Sequence, residues 1–320
     1  MLIEKINFNG YRIGIPIPFP MKYVYCYLFP QDEGYVVIDT GLNDVATRNA
    51  WKQVFHDLKI DPNEIKTIYL THFHPDHSGL CGWMQQWTGA EVYMHEIDME
   101  MMEQVWGKES IQAQQVGEMT RKHGTPQPLS EKIIEHMDRL QLNVLPLPNI
   151  NPIATEVAFA GEKWQVIHTP GHSAGHICFF QEAERILISG DHILDKISPN
   201  ISVWPGASQA PLHEYIQSLI QIKALQVKLA YPGHGKIIDR VNERIDELIE
   251  HHQHRLEAME ELASGKTAYE IAETIFASKK LNPHQWRFAI AETIAHLNYL
   301  TAENRINKGD STPVVFEKTS

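Results

Sequence analysis

The chain has 320 residues, a hydrophobic fraction of 43% and a formal net charge of −12. That length suits one large domain with a smaller one beside it, and the acidic balance argues against a general nucleic-acid binder, because phosphate backbones are held by lysine and arginine. The start, Met1-Leu2-Ile3-Glu4-Lys5, lacks the basic and apolar regions of a secretory signal, and no apolar run reaches bilayer-spanning length, so a cytoplasmic protein is expected.

The first 95 residues read as strands punctuated by turns. Tyr23 to Phe29 and Tyr35 to Ile38 flank Pro30-Gln31-Asp32-Glu33-Gly34 as a hairpin. Val45 to Leu58 has helical periodicity, with Val45, Trp51, Val54, Phe55 and Leu58 available for one face. Thr67-Ile68-Tyr69-Leu70 is strand-like, Leu80 to Trp87 helical and Glu91 to Met94 another strand, a succession that gives a layered α/β arrangement.

From Ile97 to Leu142 the texture changes. Met99, Met101, Met102, Val105 and Trp106 form an apolar cluster, and Ile133 to Leu140 is a second helical stretch beyond Pro126 and Pro128. This insertion is expected to supply core, with an adaptable lid as the second reading. Strand texture returns at 156–159, 165–168, 177–180 and 185–188. Cys26, Cys81 and Cys178 form no CxxC pair and read as buried hydrophobes in a reducing compartment.

The segment Thr71-His72-Phe73-His74-Pro75-Asp76-His77 carries three imidazoles and a carboxylate just after a strand. Imidazole and carboxylate suit zinc, iron or manganese. His72 and His74, two residues apart, point the same way if strand geometry continues. Pro75 lets the chain turn and aim Asp76 and His77 at a second ion. Three more fragments follow strand-like runs: Thr169-Pro170-Gly171-His172, Ser189-Gly190-Asp191-His192 and Tyr231-Pro232-Gly233-His234-Gly235. Glycine permits the sharp turn that lifts the next side chain out of a strand end, and strand ends of an α/β layer converge on one edge.

Together these fragments resemble the metallo-β-lactamase-fold hydrolases, over roughly residues 15 to 240. The resemblance implies an αββα sandwich with two metals at its edge. His72, His74 and His172 would bind the first, Asp76, His77 and His234 the second, and Asp191 would bridge them. Asp39, ending Val36-Val37-Ile38-Asp39, matches the family's early strand-end aspartate and is expected to orient a ligand histidine. His176 is expected to support the ligands from behind, and His192 to reach toward the substrate. Histidine at 74 departs from the oxygen-reducing di-iron branch, where glutamate stands. Asp191 departs from the lactamases with a cysteine ligand, and matches the glyoxalase II and ribonuclease branches. Zinc is the expected metal, with iron or manganese accepted by the same donors.

Residues 241–320 read as helices followed by the turn Gly309-Asp310-Ser311-Thr312 and a strand at Val314-Val315-Phe316. They resemble the winged-helix-type domain attached to some members of the family. This segment holds nine Lys or Arg and thirteen Asp or Glu, 9 − 13 = −4, which argues against DNA recognition. Packing against the catalytic domain (1–240), shaping of the groove or homodimerisation is expected instead, with Leu297, Tyr299 and Leu300 as core or dimer contacts. His251, His252 and His254 read as a solvated face.

The function expected is hydrolysis of a thioester or ester by a hydroxide bridging two metals, with Asp76 accepting a proton. Single-strand RNA or phosphodiester cleavage on the same fold is the alternative. It predicts a basic path such as Lys196, Lys236 and Arg240 into the cleft. A non-catalytic winged-helix regulator is the third reading.

Overall fold

A computed structural model describes residues 2–319. Strands β1 (Leu2–Lys5), β2 (Tyr11–Pro16), β3 (Tyr23–Gln31) and β4 (Gly34–Ile38) run antiparallel in succession. The chain leaves β4 into α1 (Val45–Leu58), where the Asp44 side chain accepts the Thr47 N–H at 2.7 Å and satisfies one open donor of the first turn. β5 (Ile65–Tyr69) then pairs parallel to β4. The short helix α2 (Pro75–Ser78), α3 (Cys81–Thr88), β6 (Glu91–Met94), α4 (Glu96–Trp106), α5 (Gln112–Lys122), α6 (Gln127–Gln141) and β7 (Ile150–Pro152) follow. They complete a seven-stranded sheet in the order β1 to β7.

The second sheet is built from β8 (Glu156–Phe159), β9 (Glu162–His168), β10 (Ile177–Gln181) and β11 (Ile186–Gly190), then α7 (Pro211–Ala224) and β12 (Leu229–Pro232). Its order is β12-β11-β10-β9-β8. The period of two along each strand sorts the core into layers. Tyr27, Phe29, Val36, Ile38, Phe179 and Ile188 meet between the sheets, in a cluster closed by Trp164 and Phe159. Cys26, Leu28, Val37 and Ile68 face the other way, onto Trp51, Val54 and Met84 of the helices. Cys178, Phe180 and Leu187 face outward on the second sheet, onto Leu212, Leu219 and Ile222 of α7. The result is the expected αββα sandwich.

The C-terminal part runs α8 (Val241–Leu262), β13 (Ser264–Thr267), α9 (Ala268–Ile275), α10 (Pro283–Ala302), β14 (Ile306–Lys308) and β15 (Val315–Lys318), with β15 between the other two strands. Three helices and a β-wing match the sequence reading, to which the structure adds β13. This part has no core of its own: Ile245, Leu248, Ile290, Ile294 and Leu297 belong to the same cluster as Val116, Ile133, Leu219 and Leu187. Leu297 and Leu300 are therefore internal core, and Tyr299 packs against it.

Two expectations are corrected. His252 is fully buried, its Nδ1 3.0 Å from Nε2 of His296, because it points from α8 into α10; helical periodicity carries no sign of which face a partner covers. His192 is also fully buried, edge-on to Tyr215 at 5.3 Å, so it turns away from the cleft. Helix α7 and strands β1 and β2 have no counterpart among the sequence-based expectations. In the insertion, Met102 is core, whereas Met101, Val105, Trp106 and Met137 are core on one side and cleft wall on the other. The three cysteines are free and buried, as expected.

Candidate metal centre

The ends of β4, β5, β9, β11 and β12 open on one edge of the sandwich, and the loops leaving them bring all seven predicted ligand residues together. Potential donor atoms converge in three overlapping groups: His72 with His74 and His172; His72 with His77 and Asp191; Asp76 with His77 and His234. Within each group the atoms lie within 4.8 Å of one another. His74 Nδ1 faces His172 Nε2 at 2.9 Å. Asp191 reaches three imidazoles: Oδ1 lies 3.4 Å from His77 Nε2, and Oδ2 lies 3.6 Å from His172 Nε2 and 3.5 Å from His234 Nε2. The Asp76 Oδ2 lies 3.1 Å from His234 Nε2.

The far sides of four of the five rings, those of His72, His77, His172 and His234, are held by the protein. The Asp39 Oδ2 accepts from His77 Nδ1 at 2.8 Å, and the same carboxylate takes the backbone N–H and the hydroxyl of Thr71. Thr71 Oγ1 in turn lies 2.9 Å from His72 Nδ1. His172 Nδ1 donates to the Asn200 carbonyl and His234 Nδ1 to the Tyr23 carbonyl, both at 2.8 Å. These contacts set the tautomers so that the inward nitrogens carry lone pairs. His176 Nε2 accepts the Asp191 N–H at 3.2 Å, and its Nδ1 is fixed by Thr169 Oγ1. It supports the bridge between the groups without facing the centre.

The electrostatics fit cations. Buried atoms with no hydrogen-bond partner include His72 Nε2, His77 Nε2 and Asp191 Oδ1. Left so, each would forfeit its solvation with nothing in return. Burial and the neighbouring rings of His77, His74 and His172 hold His72 well below the usual imidazole range, so it is a neutral donor. Burial opposes charge on His77, but Asp191 and Asp39 outweigh it and raise its pKa. Asp191 stays ionised against its burial because His234 and His77 surround it. Imidazole nitrogens and carboxylate oxygens gathered at one point, where a cation would take the place of the proton that the carboxylates favour on His77, are a divalent-metal donor set.

Close backbone approach explains two glycines. A Cβ on Gly233 would collide with Asp191 Oδ1 and stand 2.6 Å from His77 Cε1. Gly190, with φ +48, is similarly crowded by His176 and Thr71.

Asp98 is absent from the candidates that the sequence offers. Fully buried in α4, it accepts the N–H of Phe73 at 3.1 Å, the hydroxyl of Ser173 at 2.7 Å and the N–H of Gly175 at 2.6 Å. It ties the His72–His74 loop to the His172 loop. In the sequence it is one acid among several in a first helical turn, with nothing to mark it. His95, also in that turn, stacks on His168 at the surface.

The centre opens into a cleft of about 670 Å³ whose walls come from the 18–21 loop, the insertion helices and the N-terminal half of α10. His74, Asp76, His172 and Asp191 lie at one end, and Met101, Trp106, Met137, Trp204 and Phe288 line the rest.

Comparison with known proteins agrees with this architecture. The family described as Metallo-beta-lactamase superfamily matches residues 20–234, and the one described as Metallo-beta-lactamase-like, C-terminal domain, matches residues 256–318. A metallo-beta-lactamase family protein from Thermus thermophilus superposes with a TM-score of 0.87 at 34% identity, over 97% of this chain and 98% of that one. The "Probable metallo-hydrolase YqjP" of Bacillus subtilis (strain 168) is 26% identical across 96% of this chain and 97% of its own length. An "Atrochrysone carboxyl ACP thioesterase" of Aspergillus fumigatus is 25% identical across 69% of this chain and 53% of that protein. The chain belongs to the metallo-beta-lactamase superfamily, with the donor set of a metal-dependent hydrolase and the superfamily's β-lactamase-like C-terminal domain.

Proposed function

We propose that this chain hydrolyses thioesters or esters with two divalent cations, zinc being the metal the imidazole-rich donors suit best. The observation that carries this is the convergence of seven donors at one end of a predominantly apolar cleft. Bound there, two such cations would supply a water of lowered pKa and polarise the scissile carbonyl. His72, His74 and His172 would hold one ion and Asp76, His77 and His234 the other, with Asp191 between them. Asp39, Thr71, Asn200 and Tyr23 fix the rings of His77, His72, His172 and His234, so little reorganisation of these four is left for the reaction. Asp76, which lines the cleft beside the cluster, would take up the proton of the attacking water. The thioesterase relative supports an acyl substrate.

RNA cleavage is the less favoured reading. Lys196, Lys236 and Arg240 lie outside the cleft wall, whose cationic side chains are Lys279 and Arg287. Two isolated cations in an apolar wall do not track a phosphodiester backbone.

The test sets zinc-reconstituted protein against a glutathione thioester and a fluorogenic single-stranded RNA, with Asp76→Asn as the blank. Thioester turnover that disappears in Asp76→Asn is expected. RNA cleavage lost in that variant, without thioester turnover, would overturn the reading in favour of a nuclease.

A further inference from the structure

Arg287, in the second turn of α10, is 6% exposed and lines the cleft. Among the described residues it has no carboxylate partner, and its Nε has no acceptor. The guanidinium lies 4.3 Å from the Phe288 ring and 5.2 Å from that of Trp204, which hold its plane and leave its N–H groups open. Burial alone, with no nearby acid to offset it, pulls its pKa down to about 10.

Two further open groups stand beside it. His284 and His136 have ring centroids 4.7 Å apart, both line the cleft, and Nδ1 of each is buried without a partner. Both are kept neutral by burial and by the charge of Arg287. His284 also feels the Asp76 carboxylate, so the group lies within electrostatic reach of the metal centre. One buried cation and two neutral imidazoles with unused nitrogens cost stability while they face nothing. An anion would satisfy them. A guanidinium, with its planar fork of donors, suits a carboxylate or phosphate better than an ammonium would.

We propose that Arg287, with His136 and His284, forms a subsite for an anionic group of the substrate, a carboxylate or a phosphate carried away from the scissile bond. This rests on the acyl-hydrolase reading above. It gives the C-terminal domain a part in selecting substrate, since Arg287 and His284 both come from it.

The test compares wild type with Arg287→Met on three thioesters: S-butyrylpantetheine, which is neutral; S-glutarylpantetheine, with a carboxylate on the acyl side; and S-butyryl-4′-phosphopantetheine, with a phosphate on the thiol side. Loss of a charge-assisted pair should raise KM about tenfold or more for one anionic substrate, while the neutral one changes less than about twofold. Whichever anionic substrate is affected identifies the source of the charge. Equal effects on all three would overturn the proposal. Arg287→Lys serves as second variant should Arg287→Met fail to fold, and should lose only part of the discrimination.

If the wild type turns over no thioester, the hydrolase reading fails and the subsite is read separately. Calorimetric titration of the metal-loaded protein with glutarate and with inorganic phosphate should then show about tenfold weaker binding of one of them to Arg287→Met. Equal affinity in the two proteins, or binding to neither, would overturn it.

Discussion

Asp39 Oδ2 and His77 Nδ1 lie 2.8 Å apart, both buried, at the point where β4 and α2 meet. The carboxylate cannot turn away, because its two oxygens are also claimed by the N–H and hydroxyl of Thr71. Asp39 itself sits at φ 59, in the left-handed region that aspartate enters more readily than most residues. A local backbone distortion at a strand end thereby aims the candidate ligand nitrogen of a residue 38 positions further on.

Asp39→Asn keeps the shape but weakens the acceptor and places a donor near the Thr71 N–H. Metal affinity should fall about 10- to 100-fold, with the fold retained. Competition against a chromophoric chelator measures this, and unchanged affinity would contradict the orienting role.

Gly233→Ala should abolish metal loading while leaving the secondary structure intact. The new methyl would occupy space already filled by Asp191 Oδ1 and the His77 ring. Metal content by elemental analysis, beside circular dichroism, separates this from global unfolding. A fully loaded variant would show that the loop has room the structure does not.

Asp98 offers a pH signature. Burial pushes its pKa up to about 6, against the pull of the bonds from Ser173, Gly175 and Phe73. The folded protein therefore holds the proton more tightly than the unfolded chain does. Its contribution to stability is present below the unfolded value of 3.8 and is lost as pH rises through about 6. Relative to Asp98→Asn, which has no charge to bury, the wild type should lose on the order of 3 kcal/mol between about pH 4 and pH 7. Chemical denaturation of both proteins at matched metal loading reads this difference; a flat difference would contradict it.

Truncation after residue 240 should yield no stably folded catalytic domain. It would strip Ile245, Leu248, Ile290, Ile294 and Leu297 from a core they share with α5, α6 and α7. Each large apolar side chain left facing water costs about 1.5–3 kcal/mol, so a few exceed the stability of a typical domain. A monomeric truncated protein with a cooperative thermal transition would refute this.

Chelation should remove activity and lower the melting temperature together, because the ions would satisfy His72 Nε2, His77 Nε2 and Asp191 Oδ1. Separate reconstitution with zinc, iron and manganese, followed by turnover and thermal unfolding, ranks the metals. Activity that survives complete metal removal would exclude a metal-dependent reaction.

The candidate donor residues and the layering were legible in the sequence by itself. His72, His74 and Asp76-His77 are bound together by local spacing, and the partners His172, Asp191 and His234 each follow a strand and a glycine. The runs that became β3, β4, β10 and β11 were likewise legible as strands from their apolar texture, since that is local to each segment. Tertiary structure alone decided what distant elements do to one another. Asp98 became a tie between two ligand loops only because α4 lies against them. His252 became core only because α10 covers it, and Arg287 became an open cation in the cleft only because no acid was folded against it. Local sequence specifies periodicity and turn geometry; burial and pairing depend on contacts between residues far apart in the chain, and those exist only once the layers have packed.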